Sequence, residues 1–158
     1  MNLKPVKKWY LTFILIPLVL YFIFTRGQYT LIDNIDLIIH EAGHFFCGFF
    51  GDFIQMAGGT LMQILFPLFL AWYFYRNGYR TGVQIFIFWL GQNLINISVY
   101  AADANKMQLK LIGGRHDWLY LLNKLNLLKS ADEVGYVIFT LAILDFAISM
   151  ILPLKYNK

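Results

Sequence analysis

Four membrane-length stretches with almost no charge fix the class of fold before any motif is considered. Residues 9–25, 60–75 and 81–102 contain no Asp, Glu, Lys or Arg, and residues 133–154 contain only Glu133 and Asp145. A hydrocarbon layer of about 30 Å takes roughly 20 helical residues, or about 17 at the short end. Inside it each backbone N–H and C=O must be satisfied within the segment, so runs of this kind are expected as helices. Tyr, Trp, Lys and Arg flank most of their ends, as interfacial anchors do, and Pro17 and Pro67 fall inside spans where a kink is tolerated. The first run follows Lys4, Lys7 and Lys8 like a signal peptide. Arg26-Gly27-Gln28-Tyr29 supplies no small-x-small cleavage site after it, so it is read as a retained helix.

A fifth run, residues 30–50, is long enough to span but carries Asp33, Asp36, His40, Glu41 and His44. Ionisable side chains at membrane depth are costly and point to function. Asp33, Asp36, His40 and His44 follow one stripe of a helix, with Leu, Ile and Phe over the rest, so the stripe is expected to face a bundle interior. Composition sharpens the point. At 59% hydrophobic and 14% charged, the chain is too apolar for an ordinary water-soluble domain of its size, and it has only 3 His and 2 Glu to place. Its 13 basic residues sit at segment ends instead of forming a patch, which excludes a nucleic-acid-binding surface. The single cysteine, Cys47, leaves no zinc-ribbon spacing, so a metal site has to use His and carboxylates.

His40-Glu41-Ala42-Gly43-His44 is an HExxH motif. On a helix, residues four apart project from one face, so two imidazoles grip one zinc ion and the intervening Glu lies beside the open coordination position. Zinc lowers the pKa of a water towards about 7, and a neighbouring carboxylate accepts its proton as a carbonyl carbon is attacked. The alternative is a helix with two satisfied histidines. A lone Glu in mid-span argues against it.

A catalytic zinc takes three protein ligands and a water, so one more ligand is needed. Four candidates are open. Asp117 directly precedes an amphipathic helix expected over residues 118–128, where it also suits an N-cap. His116 is the one remaining histidine. Asp103 ends a stripe of Asn93, Asn96 and Tyr100 on the fourth span, which suggests that this face meets the HExxH helix. Asp145 lies deep in the last span and suits an interhelical hydrogen bond as well as a metal. Gln63, Gln84 and Gln92 read as polar links between helices.

The motif resembles that of the site-2 protease family of intramembrane zinc metalloproteases. In that family HExxH lies on one membrane helix, and an aspartate in an Asn- and Pro-rich stretch ending in Leu-Asp-Gly supplies the third ligand. His40, Glu41 and His44 match the first motif fully. The second has no Leu-Asp-Gly here; nearest is residues 109–122, where Asp117 follows an apolar stretch and opens a Leu-rich helix. The resemblance therefore implies zinc on His40, His44 and Asp117, with Asp103 and His116 as alternates, Glu41 as general base, and Asn93 and Asn96 positioning substrate backbone. It covers about residues 31–128, and the five-helix count and the segment 58–63 suggest a small divergent branch.

The expected architecture is all-α: a single membrane domain over residues 1–158 with about five transmembrane helices, HExxH on the second, and a short helix inside the long connection 103–132, preceded by a turn at Gly113-Gly114. With residues 30–50 spanning, alternate loops carry 8 and 5 Lys or Arg; without it, 7 and 6. The count favours five spans with the N-terminus in the cytoplasm, and the expected location is the cytoplasmic (inner) membrane of a bacterium. The expected function is hydrolysis of peptide bonds in or near the bilayer, with a membrane protein or peptide as substrate. A metal carrier or scaffold is the non-enzymatic alternative, although no inverted repeat or continuous polar path is visible. A zinc hydrolase of a lipid or another amide stays open, because activated water is indifferent to which carbonyl it meets.

Overall fold

The computed structural model describes residues 4–110 and 115–155, and all regular structure among them is helical. The helices are α1 (Lys4–Phe24), α2 (Leu31–Cys47), α3 (Asp52–Arg76), α4 (Arg80–Asp103), α5 (Asp117–Lys124) and α6 (Ala131–Ile151), with 3-10 turns at Gly48–Phe50, Leu128–Ser130 and Leu152–Lys155. Three helices are long and apolar enough to cross a membrane: Asp52–Arg76, Arg80–Asp103 and Leu128–Lys155. Trp9–Phe24 is a shorter apolar helix. Large apolar side chains such as Phe13, Leu65, Phe69, Trp72, Leu144 and Ile148 point outward, as a lipid-facing surface requires.

Central α4 sets the register. Beside it α1 runs parallel: Gln84 donates to the Thr12 hydroxyl at 2.8 Å near one end, and Gly27 rests on Val99 near the other. Helix α6 runs antiparallel, with the Ser149 hydroxyl donating to the Gln84 carbonyl at 2.9 Å and Gly135 against Ser98 and Ala102. Leu11, Leu15, Phe88, Ile95, Ala142 and Phe146 fill the space between these three helices. On the other flank α3 runs antiparallel, with Phe74 stacked on Phe86 and Gln63 donating to Asn96 at 3.3 Å.

Helix α2 packs mainly on α3 and is held to it by missing side chains. A Cβ on Gly43 would strike the backbone of Gly58, and one on Gly58 would strike Gly43 and Cys47. Two helices that close need glycine at the crossing. This explains why α3 begins at Asp52, eight residues before the expected start at 60: Gly58-Gly59, which suggests a break in isolation, is a packing surface. Gly51, at φ 87°, turns the chain between them. At its start α2 is tied by Asp33, whose carboxylate accepts from the backbone N–H and the hydroxyl of Thr30 at 2.5 and 2.6 Å.

The amphipathic helix expected over 118–128 is shorter, Asp117–Lys124. Asn126 adopts φ 57°, a left-handed conformation that Asn tolerates and that stops the helix. The turn expected at Gly113-Gly114 lies outside the described residues.

Candidate metal centre

Three electron-pair donors from two distant parts of the chain converge. His40 Nε2 lies 2.8 Å and His44 Nε2 3.1 Å from Asp117 Oδ2, and one ligand atom from each residue falls within 4.8 Å of the others. The two rings, on successive turns of α2, sit 4.8 Å apart edge to face. Asp117 is the first residue of α5, and its backbone N–H donates to the Tyr100 hydroxyl of α4 at 3.0 Å. The Tyr100 hydroxyl in turn reaches Asp117 Oδ2 at 3.4 Å, so α4 fixes both the main chain and the carboxylate. Burial alone would raise the Asp117 carboxyl, but hydrogen bonds from His40 and His44 while their rings carry protons in place of a metal outweigh this and hold it at about 2.

The remaining ring nitrogens decide what this cluster is suited to hold. His44 Nδ1 lies 2.7 Å from the carbonyl oxygen of Gln55, which only accepts, so Nδ1 carries the proton. His40 Nδ1 lies 2.9 Å from Gln63 Oε1. That orientation of Gln63 is set by a directed chain. Asp33 can only accept, and it takes hydrogen bonds from Gln92 Nε2 at 3.0 Å and Asn96 Nδ2 at 3.1 Å. With its amide nitrogen spent there, Asn96 accepts through Oδ1 from Gln63 Nε2, and Gln63 therefore presents its oxygen to His40. In the neutral rings both Nε2 lone pairs thus face the Asp117 carboxylate. Three lone-pair donors at such range repel one another unless ring protons or a metal ion lie among them, and two imidazoles with one carboxylate form a set that can hold such an ion. Gly59 completes the cradle, since a Cβ there would overlap the His40 ring.

Glu41 is exposed and lines a cavity of about 810 Å³ together with His40, His44 and Asp117. The cavity also reaches Asp33, Gln63 and Asn96, with Lys110 and Arg115 on its lining.

The other sequence candidates lie elsewhere. Asp103 accepts from the backbone N–H groups of Gln108 and Leu109 at 2.9 and 3.0 Å, which turns the chain as it leaves α4. His116 caps α5, its Nδ1 accepting from the Leu119 N–H at 3.3 Å, stacks on Tyr100, and turns Nε2 towards Asp103 at 3.4 Å. Burial pushes its imidazole below the ordinary value, against the opposing pull of Asp103. Both residues are thus committed to shaping the segment that delivers Asp117. Asp145 lies between α4 and α6 beside Gly91. Of the two asparagines, Asn96 lines the cavity; Asn93 is fully buried and donates to the Trp89 carbonyl of its own helix at 3.0 Å.

Gln55, Gly59 and Gln63 had no site role in the sequence reading, and Tyr100 entered it only on the stripe expected to meet the HExxH helix. Gly59 and Gln63 are one helical turn apart, a spacing that places them on one face, but nothing local shows that this face meets His40. No protein-family model, curated protein or solved structure matches the chain.

Proposed function

We propose that this protein is an intramembrane zinc metalloprotease of the site-2 protease type, with zinc held by His40, His44 and Asp117 and peptide bonds in or near the bilayer as its targets. The observation that carries the reading is the convergence of three buried or half-buried donors with the other ring nitrogens already spent on Gln63 and Gln55. When bound, zinc supplies the Lewis acidity that acidifies a water and polarises a carbonyl.

The rest of the chemistry falls to the chain. The Glu41 carboxylate takes a proton from the attacking water and returns it to the leaving amine nitrogen. Asp33, Asn96 and Gln63 hold the His40 tautomer. The cavity of about 810 Å³ accepts an extended segment of substrate, not an intact helix, whose carbonyls are hidden in hydrogen bonds. Asn96, on the cavity wall, is placed to meet substrate backbone.

The deciding experiment compares wild type with Glu41→Gln in liposomes carrying a membrane peptide substrate. The variant is expected to retain one zinc per chain and to lose cleavage by at least about 100-fold. Wild-type protein purified in detergent without stoichiometric metal would sink the reading. Metal uptake into proteoliposomes that survives Glu41→Gln would favour a carrier, and release of fatty acid instead of peptide would favour a lipid hydrolase.

A further inference from the structure

The helix that carries both histidines is poorly suited to a crossing. Its 17 residues extend about 25 Å at 1.5 Å per residue, less than a hydrocarbon layer of about 30 Å. Both of its ends also lie towards one end of the bundle. Just upstream of α2, Gly27 rests on Val99, close to the C-terminal end of α4. Downstream, α2 passes through Gly48–Phe50 into the start of α3. Because α3 is antiparallel to α4 and Gln63 already meets Asn96, the preceding residues back to Asp52 continue towards that same end. Between its ends α2 meets α4 within residues 89–100: Asp33 meets Gln92 and Asn96, Asp36 accepts from Trp89 at 2.8 Å, and His40 lies beside Tyr100.

The tip between α2 and α3 has a composition that water would not favour. Phe45, Phe46, Phe49 and Phe50 are all exposed, Phe49 by 86%. Asp52 is the sole charged residue between Glu41 and Arg76. Exposed apolar clusters of this size belong against a partner, and here the exposed face continues into that of α3, which is apolar enough to cross a membrane.

We propose that α2 is a re-entrant helix and that its phenyl tip is an anchor seated in the interfacial layer of the bilayer. The occupant of this surface is lipid, at the depth where amphipathic helices bury their apolar faces. The chain then crosses four times, through α1, α3, α4 and α6, in place of the five crossings expected from the sequence. The N-terminal end of α1 and the C-terminal end of α6 share one side. The metal cluster, Lys110 and Arg115 lie towards the other. Loop charge does not oppose this, since the count becomes 7 against 6. The inference stands on helix register and exposed rings, independently of any hydrolase activity.

Two measurements on the full chain test it. Epitopes at the two chain ends are digested with protease in sealed vesicles of known orientation. Four crossings make both epitopes sensitive or both protected; one sensitive and one protected means an odd number of crossings, and overturns the proposal. For the anchor, a nitroxide is attached at Phe49→Cys in a Cys47→Ser background, in liposomes of zwitterionic and anionic phospholipid. Monodispersity and helical circular dichroism check that the variant is folded. Collisions with oxygen are expected to exceed those with a water-soluble nickel complex. The reverse order places the tip in water and overturns the anchor. Zinc content, measured on the same samples, reports on the protease reading alone.

Discussion

Gln63 shows how one uncharged side chain sets the chemistry of a histidine. It touches no ligand position, yet its amide oxygen decides which His40 nitrogen keeps a lone pair, and Asn96 and Asp33 decide the direction of that amide. Partners of this kind are worth about 10- to 100-fold in metal affinity. Gln63→Leu is therefore expected to weaken zinc binding by that factor in competition with a fluorescent chelator, while Gln63→Glu, which still accepts from Nδ1, recovers much of it. Binding should also release protons, because His ligands must be neutral to coordinate. Zinc retained after dialysis is expected to fall below about pH 6, where free imidazoles protonate, and a flat profile from pH 5 to 8 would contradict histidine ligation. His40, Glu41 and His44 were legible in the sequence because a single helical period brings them together. Gln63 was not, since its role depends on which face of α3 meets α2.

Among the elements, the pairing of α2 with α3 carries the centre. Gly43 and Gly58 let the backbones touch, and Gly59 gives the His40 ring its place. Gly59→Ala leaves the helix intact or improves its propensity, but the new methyl group occupies the space of the imidazole. The expected result is normal helical content with zinc binding lost, read by circular dichroism and metal analysis on one sample. The Gly58-Gly59 pair was open to misreading as a break because, in isolation, glycine argues against a helix; its value comes from tertiary contact. Helix α5 shows the converse. Its start at Asp117 was readable from an N-cap position and a Leu-rich face, and the structure adds that His116 performs the capping while Tyr100 holds Asp117. Tyr100→Phe removes both contacts to Asp117 and is expected to lower zinc affinity about 10-fold without changing the fold, as a chelator titration would report.

For the molecule as a whole, the apolar runs made an all-helical bundle readable, because backbone hydrogen bonds have few other solutions in lipid. The order in which helices pack was not readable from hydropathy. Helix α2 has the length and greasiness of a marginal span, and only the meeting of Asp33, Asp36 and His40 with α3 and α4 reveals its path. Metal should stabilise the entire bundle, since a ligand that binds only the folded state at 1,000 times its Kd adds about 4 kcal/mol. Chelation is thus expected to lower the thermal midpoint in detergent, and Asp117→Ala should show a reduced midpoint that chelator no longer changes.

His40 and Asp117 meet across 77 residues of sequence. During synthesis, therefore, both imidazoles and Glu41 leave the ribosome long before the carboxylate that joins them. Helices α3 and α4 must be made and inserted first, and a chain arrested anywhere before Asp117 has no complete centre. On the proposed reading, a hydrolase so arranged would stay inert while its own unfinished chain is still unfolded and open to attack.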